Sequence, residues 1–176
     1  MCFTAGEYFY TGELIMSKKK YNKYSDDSFE IRFLSEKFFG KYIPSLFSEI
    51  ENKKNRPYYV MILDINGNKF ALPFRTNIRH DFCYKFSSSG RLTESITGID
   101  FTKAVIVNDP EYIGEPARID DTEYNILLID RHIVNKDFRA YLNGYIRFVK
   151  NNRSVRNFPQ YRYTSLKYFH KELGIE

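Results

Sequence analysis

Tryptophan is absent from the 176-residue chain, and cysteine and histidine are scarce, with two and three copies. Cys2 and Cys83 are far apart, and no paired Cys or His spacing typical of a zinc site occurs. This scarcity excludes a disulfide scaffold or a zinc ribbon and favours a reducing compartment. No apolar run approaches the roughly 18 residues that a membrane-spanning helix requires.

Several common catalytic motifs are also missing. The chain has no Walker phosphate-binding loop, no Gly-x-Gly-x-x-Gly, no Gly-x-Ser-x-Gly and no His-Glu-x-x-His. Its composition is that of a globular protein, with 43% hydrophobic, 28% charged and 18% aromatic residues. The length fits one domain. The common nucleotide-binding and hydrolase families are therefore excluded at the level of motifs.

Charge is distributed unevenly along the chain, whose net charge is +5. Residues 1–103 carry +4, residues 104–130 carry −6 and residues 131–176 carry +7. A basic C-terminal third beside an acidic segment points to a polyanionic partner such as nucleic acid. A solvated basic helix face accounts for the same distribution and stays open as the alternative.

The first 28 residues differ from the rest. A second methionine, Met16, is followed by a serine and three lysines and resembles a second start, and the stretch after it is polar. We predict a poorly ordered extension at 1–28 and a single domain at 29–176.

The strongest local signal is a β-hairpin. Residues 58–65 and 68–74 are rich in β-forming side chains, and the Asn66-Gly67 pair between them is typical of a type I′ turn. Pro73 should end the second strand or lie at its edge. Other segments are predicted as strands at 29–34, 82–86 and 103–108 and as exposed loops at 87–97 and 109–115.

Helical patterns dominate the C-terminal third. Apolar residues recur at helical spacing over 134–149, and the opposite face carries Lys136, Arg139, Arg147 and Lys150. Shorter helices are predicted at 44–50 and after candidate capping residues, which are Ser35, then Asp120, Asp121 or Thr122, and then Thr164 or Ser165. The predicted fold is α+β, a small, mostly antiparallel bent sheet or barrel with inserted and C-terminal helices.

A short segment after the hairpin concentrates polar chemistry in Arg75, Thr76, Asn77, Arg79 and His80. Guanidinium groups bind phosphate, hydroxyl and amide groups can hold a phosphate oxygen, and an imidazole moves protons near neutral pH. The alternative is an ordinary polar loop, in which Arg79 pairs with the aspartate two residues later and Asn77 forms an Asx turn.

Arg56 precedes the first hairpin strand. Antiparallel pairing through the turn should bring it beside Arg75 at the open end of the hairpin. Because two guanidinium groups repel each other, their close approach predicts a phosphate site. The acidic pair Asp120 and Asp121 is interpreted as a helix cap with a favourable dipole interaction, in preference to a metal site.

Three separated runs resemble one protein family. They are the segment 59–80, which contains Tyr-Val-Met-Ile-Leu-Asp-Ile-Asn-Gly, the run Gly-Ile-Asp-Phe-Thr-Lys-Ala-Val-Ile-Val at 98–107, and Tyr-Thr-Ser-Leu-Lys-Tyr-Phe-His-Lys at 163–171. These runs are similar to the toxins of type III toxin–antitoxin systems, above all to the TenpN branch, relatives of ToxN and AbiQ. The resemblance extends from about residue 29 to residue 173.

The resemblance implies a MazF/Kid-like fold and a cytoplasmic, sequence-selective endoribonuclease toxin. It implies cleavage without a metal or another cofactor, which leaves a 2′,3′-cyclic phosphate. The implied partners are cellular and phage RNA and a repeated, structured antitoxin RNA, with no membrane. The toxin processes this antitoxin, is inhibited by it and forms an RNA-bridged oligomer with it, and the associated role is phage defence by abortive infection.

Carried over position by position, Arg56 matches a basic residue before the first hairpin strand of the family. Residues 75–77 match a Thr-Ser-Pro run, and His80 matches a closing histidine. The lysine of the family's run corresponds to Ile78 in strict register, or to Arg79 after a one-residue insertion, which leaves the proton-transfer roles open. The implied catalytic residues are Arg56, Arg75, Thr76, Asn77, Arg79 and His80.

Basic side chains outside this segment are the candidate RNA-binding residues: Lys69, Lys85, Lys103, Lys136, Arg139, Arg147, Lys150 and Arg153. Two other functions remain open. One is a non-catalytic nucleic-acid-binding domain that uses the same basic surface. The other is a protein-interaction domain without nucleic acid, which would show no salt-dependent affinity for RNA.

Overall fold

The computed structural model describes residues 29–50, 59–91 and 95–175. The predicted extension at 1–28 lies outside these residues, as do Arg56 and Tyr58. The described residues share one hydrophobic core, whose members extend along the chain from Leu34 to Ile175.

The sheet contains seven strands within the described residues: β1 (Glu30–Leu34), β2 (Tyr59–Ile65), β3 (Asn68–Thr76), β4 (Cys83–Lys85), β5 (Thr97–Asp100), β6 (Val105–Ile106) and β7 (Ile113–Pro116). Their order is β4-β5-β3-β2-β1-β7, with β6 paired to β3 beside this path. Every pairing is antiparallel. The sheet is open, with β4 and β7 at its edges, so the prediction of an antiparallel α+β fold is confirmed without barrel closure.

The predicted hairpin is confirmed. Ile65 faces Asn68 across a two-residue turn, and Asn66 and Gly67 have positive φ values of 53° and 79°. Glycine adopts this conformation without steric cost, and asparagine tolerates it better than most residues. The Asn-Gly pair therefore sets the register of β2 against β3.

The prediction that Pro73 ends the second hairpin strand is wrong, because β3 continues to Thr76. On one side Pro73 faces Val60 of β2. On the other side it falls between the residues paired with β6, which end at Ala71, and those paired with β5, which begin at Phe74. A proline is tolerated there because neither β6 nor β5 faces it, so its missing N–H leaves no gap in a ladder on that side.

Strand β5 begins at the last residue of the predicted loop at 87–97 and continues past it. Its sequence, Thr-Gly-Ile-Asp, contains two residues that are depleted from strands, yet all four residues are buried between β3 and β4. A Cβ atom on Gly98 would lie 2.1 Å from the carbonyl oxygen of Tyr84. Glycine is therefore required for β4 to approach β5 this closely.

The short predicted elements have mixed outcomes. Helix α1 (Glu36–Lys41) is capped by Ser35, whose Oγ accepts a hydrogen bond from the N–H of Phe38 at 3.2 Å, as predicted. The predicted helix at 44–50 is wrong: this segment forms turns. A helix of that length gains few hydrogen bonds for its costly nucleus, and single turns already bury Ile50.

Two other expectations fail in the middle of the chain. The strand predicted at 103–108 is shortened to β6, because Phe101–Lys103 forms a 3-10 helix. The segment 109–115, expected to be a solvated acidic loop, contains a 3-10 helix at Pro110–Tyr112 and most of β7. Tyr112 is buried there, although the acidic composition of the segment suggests an exposed loop.

One long helix, α2 (Asp121–Lys150), replaces the two separate helical patterns of the sequence. No Pro or Gly occurs between residues 121 and 143 to interrupt it. The predicted cap is confirmed, because a carboxylate oxygen of Asp120 accepts hydrogen bonds from the N–H groups of Thr122 and Glu123. The helix packs on the sheet through Phe138, whose ring lies 5.2 Å from that of Phe70.

The C-terminal part after α2 contains two 3-10 helices, Pro159–Tyr161 and Ser165–Tyr168. Thr164 caps the second, as predicted, but the helix is 3-10 and ends before Leu173. Leu166 and Phe169 are fully buried. Among the described residues, no helix combines the length and apolar character needed to cross a membrane.

Candidate active site

The candidate site forms where β3 and β5 lie side by side. Arg75 of β3 faces Gly98 of β5, and Asp100 is two residues further along β5. Side chains alternate between the two faces of a strand, so Arg75 and Asp100 share one face of the sheet. The Nη1 atom of Arg75 lies 3.0 Å from Oδ2 of Asp100.

Asp100 is a buried carboxylate, only 1% exposed. Its Oδ1 atom accepts hydrogen bonds from the backbone N–H of Thr102 at 2.9 Å and from the hydroxyl of Thr102 at 2.6 Å. Burying a carboxylate is costly unless it is paired and hydrogen-bonded. The guanidinium of Arg75 and the two donors of Thr102 meet this requirement and fix the carboxylate in place.

The imidazole of His80 is close to the same carboxylate. Its Nε2 atom is 3.5 Å from Oδ1 of Asp100, and its ring stacks against Phe82 at a centroid distance of 6.3 Å. The backbone carbonyl of His80 accepts a hydrogen bond from the thiol of Cys83 at 3.2 Å. The Nδ1 atom is buried and has no hydrogen-bond partner among the described residues. Buried polar atoms without a partner are rare and call for a physical explanation.

Arg79 is the exposed cation of the site. Its Nε atom donates a hydrogen bond to Oδ1 of Asn77 at 3.2 Å. Asn77 adopts a positive φ of 60°, which turns the chain out of β3 and places this amide next to the guanidinium. The simpler alternative for this loop, a pair between Arg79 and Asp81, is not found, because Asp81 binds Lys85 at 2.6 Å.

The structure separates the predicted catalytic residues into groups. Arg75 and His80 meet at Asp100, and Asn77 and Arg79 form an exposed pair beside them. Thr76 is exposed and, as the strand neighbour of Arg75, points to the opposite face of the sheet. Thr76 therefore does not face the same side as Arg75 and Asp100, and Arg56 lies outside the described residues.

Asp100 is the residue that the sequence analysis missed. It lies three residues after the predicted loop at 87–97, and its contacts with Arg75 and His80 bridge 25 and 20 positions of the chain. A signal was nevertheless present. The residues after it, from 101 to 107, are mostly apolar and buried, and a carboxylate in such a run must find a cation or several donors.

Aromatic side chains form one side of the site. Phe82 is 37% exposed, and its ring lies 6.1 Å from that of Tyr141 on α2. Burial raises the pKa of Tyr141, and burial also raises the pKa of Cys83 to about 11. Neither group is ionised at neutral pH, so the Cys83 thiol anchors the His80 backbone and is not a thiolate nucleophile.

The candidate RNA-binding residues of the sheet and of the 3-10 helix at Phe101–Lys103 differ in their distance from the site. Lys103 follows Asp100 by three residues, and its Nζ atom donates a hydrogen bond to the carbonyl of Tyr163 at 3.0 Å. Lys85 of β4 faces Gly98, the neighbour of Arg75. Lys69 is six residues before Arg75 on β3, or roughly 20 Å away along an extended strand, so it does not belong to the site.

The basic residues of α2 occupy one side of the helix, opposite the core. Lys136, Arg147 and Lys150 are exposed and Arg139 is half-buried, in agreement with the predicted amphipathic pattern. Arg139 donates to the side chain of Asn135 at 2.7 Å. After the helix, the guanidinium of Arg153 lies 5.2 Å from the Phe158 ring. In the described part of the chain, no group of three or more His, Cys, Asp or Glu side chains could hold a metal ion.

Comparison with known proteins gives no match: no protein-family model, no curated protein and no solved structure matches the chain. The function is therefore argued from the arrangement around Asp100, from the charges beside it and from the resemblance of the three sequence runs.

Proposed function

We propose that this chain is a sequence-selective endoribonuclease that cleaves RNA without a metal, and that it acts as the toxin of a type III toxin–antitoxin system. The observation that carries the proposal is the buried carboxylate of Asp100, which orders Arg75 and His80 next to the exposed cation Arg79. A proton-transfer group and cations beside one strand end are what metal-free RNA cleavage needs.

The reaction starts with attack of an RNA 2′-oxygen on the adjacent phosphorus. The attacking hydroxyl loses its proton to a base, the bond from phosphorus to the 5′-oxygen breaks, and the leaving oxygen gains a proton. The products are a 2′,3′-cyclic phosphate and a 5′-hydroxyl. The enzyme has to move these protons and stabilise the extra negative charge on the phosphate oxygens as they become crowded.

His80 supplies proton transfer in this proposal. Asp100 faces Nε2, so Nδ1 is the nitrogen left for the RNA. Because Nδ1 is covered in this structure, the imidazole has to rotate, or the loop after β3 has to shift, when RNA binds. A buried nitrogen without a partner favours such a change, since a hydrogen bond to an RNA oxygen removes the cost of leaving it unpaired.

Arg79 stabilises the developing charge, and Asn77 orients its guanidinium. Arg75 forms an ion pair with Asp100. In this proposal it is a positioning residue, because it holds the carboxylate that in turn orients His80. The phosphate-binding roles that the resemblance implies for Arg56 and Thr76 stay predictions.

The physiological part of the proposal comes from the resemblance. The chain is proposed to act in the cytoplasm, with a MazF/Kid-like arrangement of its sheet and helices. A repeated, structured RNA antitoxin would bind the basic surface, be processed at the site and form an RNA-bridged oligomer with the toxin. Cleavage of cellular or phage RNA would then provide phage defence by abortive infection.

A non-catalytic RNA-binding domain is the second candidate, and two observations favour it. The charge of Arg75 is already neutralised by Asp100, and the imidazole nitrogen that would act on RNA is covered. A domain that only binds RNA needs neither an open imidazole nor a second proton-transfer group.

Cleavage of RNA by the purified protein in excess EDTA tests the proposal. We expect cleavage products that end in a 2′,3′-cyclic phosphate. Replacing Arg79 by Ala should slow cleavage about a hundred- to a thousand-fold, the usual loss for one transition-state donor. Arg118→Ala is the matched control, because the Arg118 side chain is 92% exposed and remote in sequence from the site.

Each other outcome has a distinct meaning. Salt-dependent RNA binding without cleavage identifies the non-catalytic domain. Cleavage that stops in EDTA identifies a metal-dependent nuclease. Unchanged cleavage by both Arg79→Ala and His80→Ala places the chemistry elsewhere in the chain.

A further inference from the structure

A cavity of about 350 Å³ lies in the segment that follows α2, lined by Val155, Arg156, Pro159 and Arg162. Its volume is within the range of small-molecule sites, roughly 300–1,000 Å³. Two of its four lining residues are arginines, and no acidic side chain lines it. Such a lining selects for an anion.

The two arginines have no acidic partner within the described part of the chain. Neither Arg156 nor Arg162 forms an ion pair there, and both are exposed. The guanidinium of Arg162 lies 5.4 Å from the ring of Tyr163, which is 60% exposed. The cavity therefore has two available guanidinium groups and an aromatic ring beside it, which match the phosphate and the base of a nucleotide.

Residues next to the cavity lining contact residues beside the candidate active site. Lys103 follows the Asp100–Thr102 cap and donates a hydrogen bond to the carbonyl of Tyr163 at 3.0 Å. On α2, the hydroxyl of Tyr141 donates to the carbonyl of Gln160 at 3.3 Å, and the Tyr141 ring packs against Phe82 of the site. Lys103 and Tyr141 thus hold the segment around the cavity beside the candidate site.

We propose that this cavity is a nucleotide subsite for single-stranded RNA. Arg156 and Arg162 bind a phosphate, and a base stacks on Tyr163. The inference rests on the proposed function in that the rest of the strand leads to His80. Because every base has an aromatic face, this subsite holds the strand and contributes little to the choice of sequence.

Fluorescence anisotropy with a labelled single-stranded RNA, under conditions where cleavage is blocked by a 2′-O-methyl backbone, tests the subsite. The variant Arg156→Gln/Arg162→Gln removes two phosphate contacts. Its affinity should fall about tenfold or more, and the slope of log K against log salt should decrease by about 0.7, since the two guanidinium groups bind one phosphate and each neutralised phosphate of a single strand contributes roughly 0.7. The control variant Arg118→Gln/Lys41→Gln removes the same charge outside the basic C-terminal third.

The aromatic part of the subsite is tested separately. Tyr163→Ala should weaken binding about tenfold, whereas Tyr163→Phe should bind normally because stacking needs only the ring. An abasic oligonucleotide of equal length keeps the phosphates and lacks the bases. With this probe, Tyr163→Ala should bind as tightly as the wild type.

The outcomes separate the subsite from the proposed function. If the wild type cleaves RNA while Arg156→Gln/Arg162→Gln binds as tightly as the control variant, the subsite is refuted and the nuclease stands. If the wild type binds RNA through these residues without cleaving it, the subsite stands and the nuclease is refuted. Absence of RNA binding by the wild type overturns the subsite. Should the double variant fail to fold, the single variants and the Tyr163 pair give the same decision.

Discussion

The buried Asp100 can be tested by Asp100→Asn, which keeps the shape of the side chain and removes its charge. The asparagine oxygen can still accept the hydrogen bonds from Thr102, but its amide group then faces Nη1 of Arg75, donor against donor. The variant therefore loses the charge-assisted bond at 3.0 Å between Arg75 and residue 100.

The size of the effect follows from burial. A hydrogen bond to a charged group contributes roughly 1.5–3 kcal/mol, and breaking a fully buried ion pair costs roughly 3–5 kcal/mol. The Arg75 side chain is 29% exposed and can turn partly to water, which favours the lower range. We expect a loss of about 2–3 kcal/mol, or about 5–10 °C in the midpoint of unfolding for a chain of this size.

Thermal and urea unfolding of four proteins measure this loss: wild type, Arg75→Gln, Asp100→Asn and the double variant. Because the two residues are in contact, the double variant should lose less than the sum of the single variants, with a coupling energy of about 1–2 kcal/mol. In the RNA cleavage assay, Asp100→Asn should lower the rate of the chemical step more than it raises KM, since it misplaces His80. Wild-type stability of Asp100→Asn, or purely additive losses, would refute the assigned role of this carboxylate.

Three further predictions concern the surrounding structure. Burial raises the pKa of Glu49, but hydrogen bonds from Lys167, Tyr168 and Ser48 lower it to about 2. Because this value lies below the unfolded pKa of about 4.3, the ionised carboxylate stabilises the fold. The free energy of unfolding of the wild type should therefore exceed that of Glu49→Gln by its full amount above pH 5, and this difference should shrink by about 2 kcal/mol as the pH falls towards 2. A pH-independent difference in the free energy of unfolding would contradict this prediction. Gly98→Ala should destabilise the chain by about 2 kcal/mol or more, because the added methyl group meets the Tyr84 carbonyl. Urea unfolding should show this loss. The control Gly40→Ala, whose added methyl group meets no atom within 4 Å, should stay within about 0.5 kcal/mol of the wild type. Arg139→Glu/Arg147→Glu should weaken RNA binding and flatten its salt dependence while unfolding changes by less than about 1 kcal/mol, and normal RNA binding would identify this face as solvated surface only.

Local chemistry explains which parts of the fold could be predicted. The turn at Asn66-Gly67 and the caps at Ser35 and Asp120 depend on a few adjacent residues, and all three are confirmed. The failures depend on distant contacts. Thr-Gly-Ile-Asp becomes β5 because β3 and β4 flank it, and segment 44–50 forms turns in which Phe47 and Ile50 already pack into the core.

The candidate site divides in the same way. Arg75, Asn77, Arg79 and His80 are neighbours in sequence, so their proximity was predictable from one segment. Asp100, which orders two of them, belongs to another strand, and its role appears only when the register of β3 against β5 is known. The separation of Arg75 and Thr76 onto opposite faces follows from the continuation of β3 past Pro73, which the sequence pattern argued against.

The distribution of ion pairs gives the charge asymmetry of the sequence a physical meaning. The acidic segment at 104–130 is occupied by internal contacts: Asp109 and Glu111 bind Lys37, Asp120 and Glu123 hold the loop before residue 92, and Asp130 accepts from Tyr84. These carboxylates are therefore not available to neutralise the C-terminal third. Within the described residues, nine cations of that third have no acidic partner: Arg131, Lys136, Arg139, Arg147, Lys150, Arg153, Arg156, Arg162 and Lys171. Unneutralised cations on a folded surface attract counterions, and their release on binding a polyanion favours association. The acids of segment 104–130 thus serve internal contacts and most cations of the C-terminal third stay without acidic partners, as the proposed RNA binding requires.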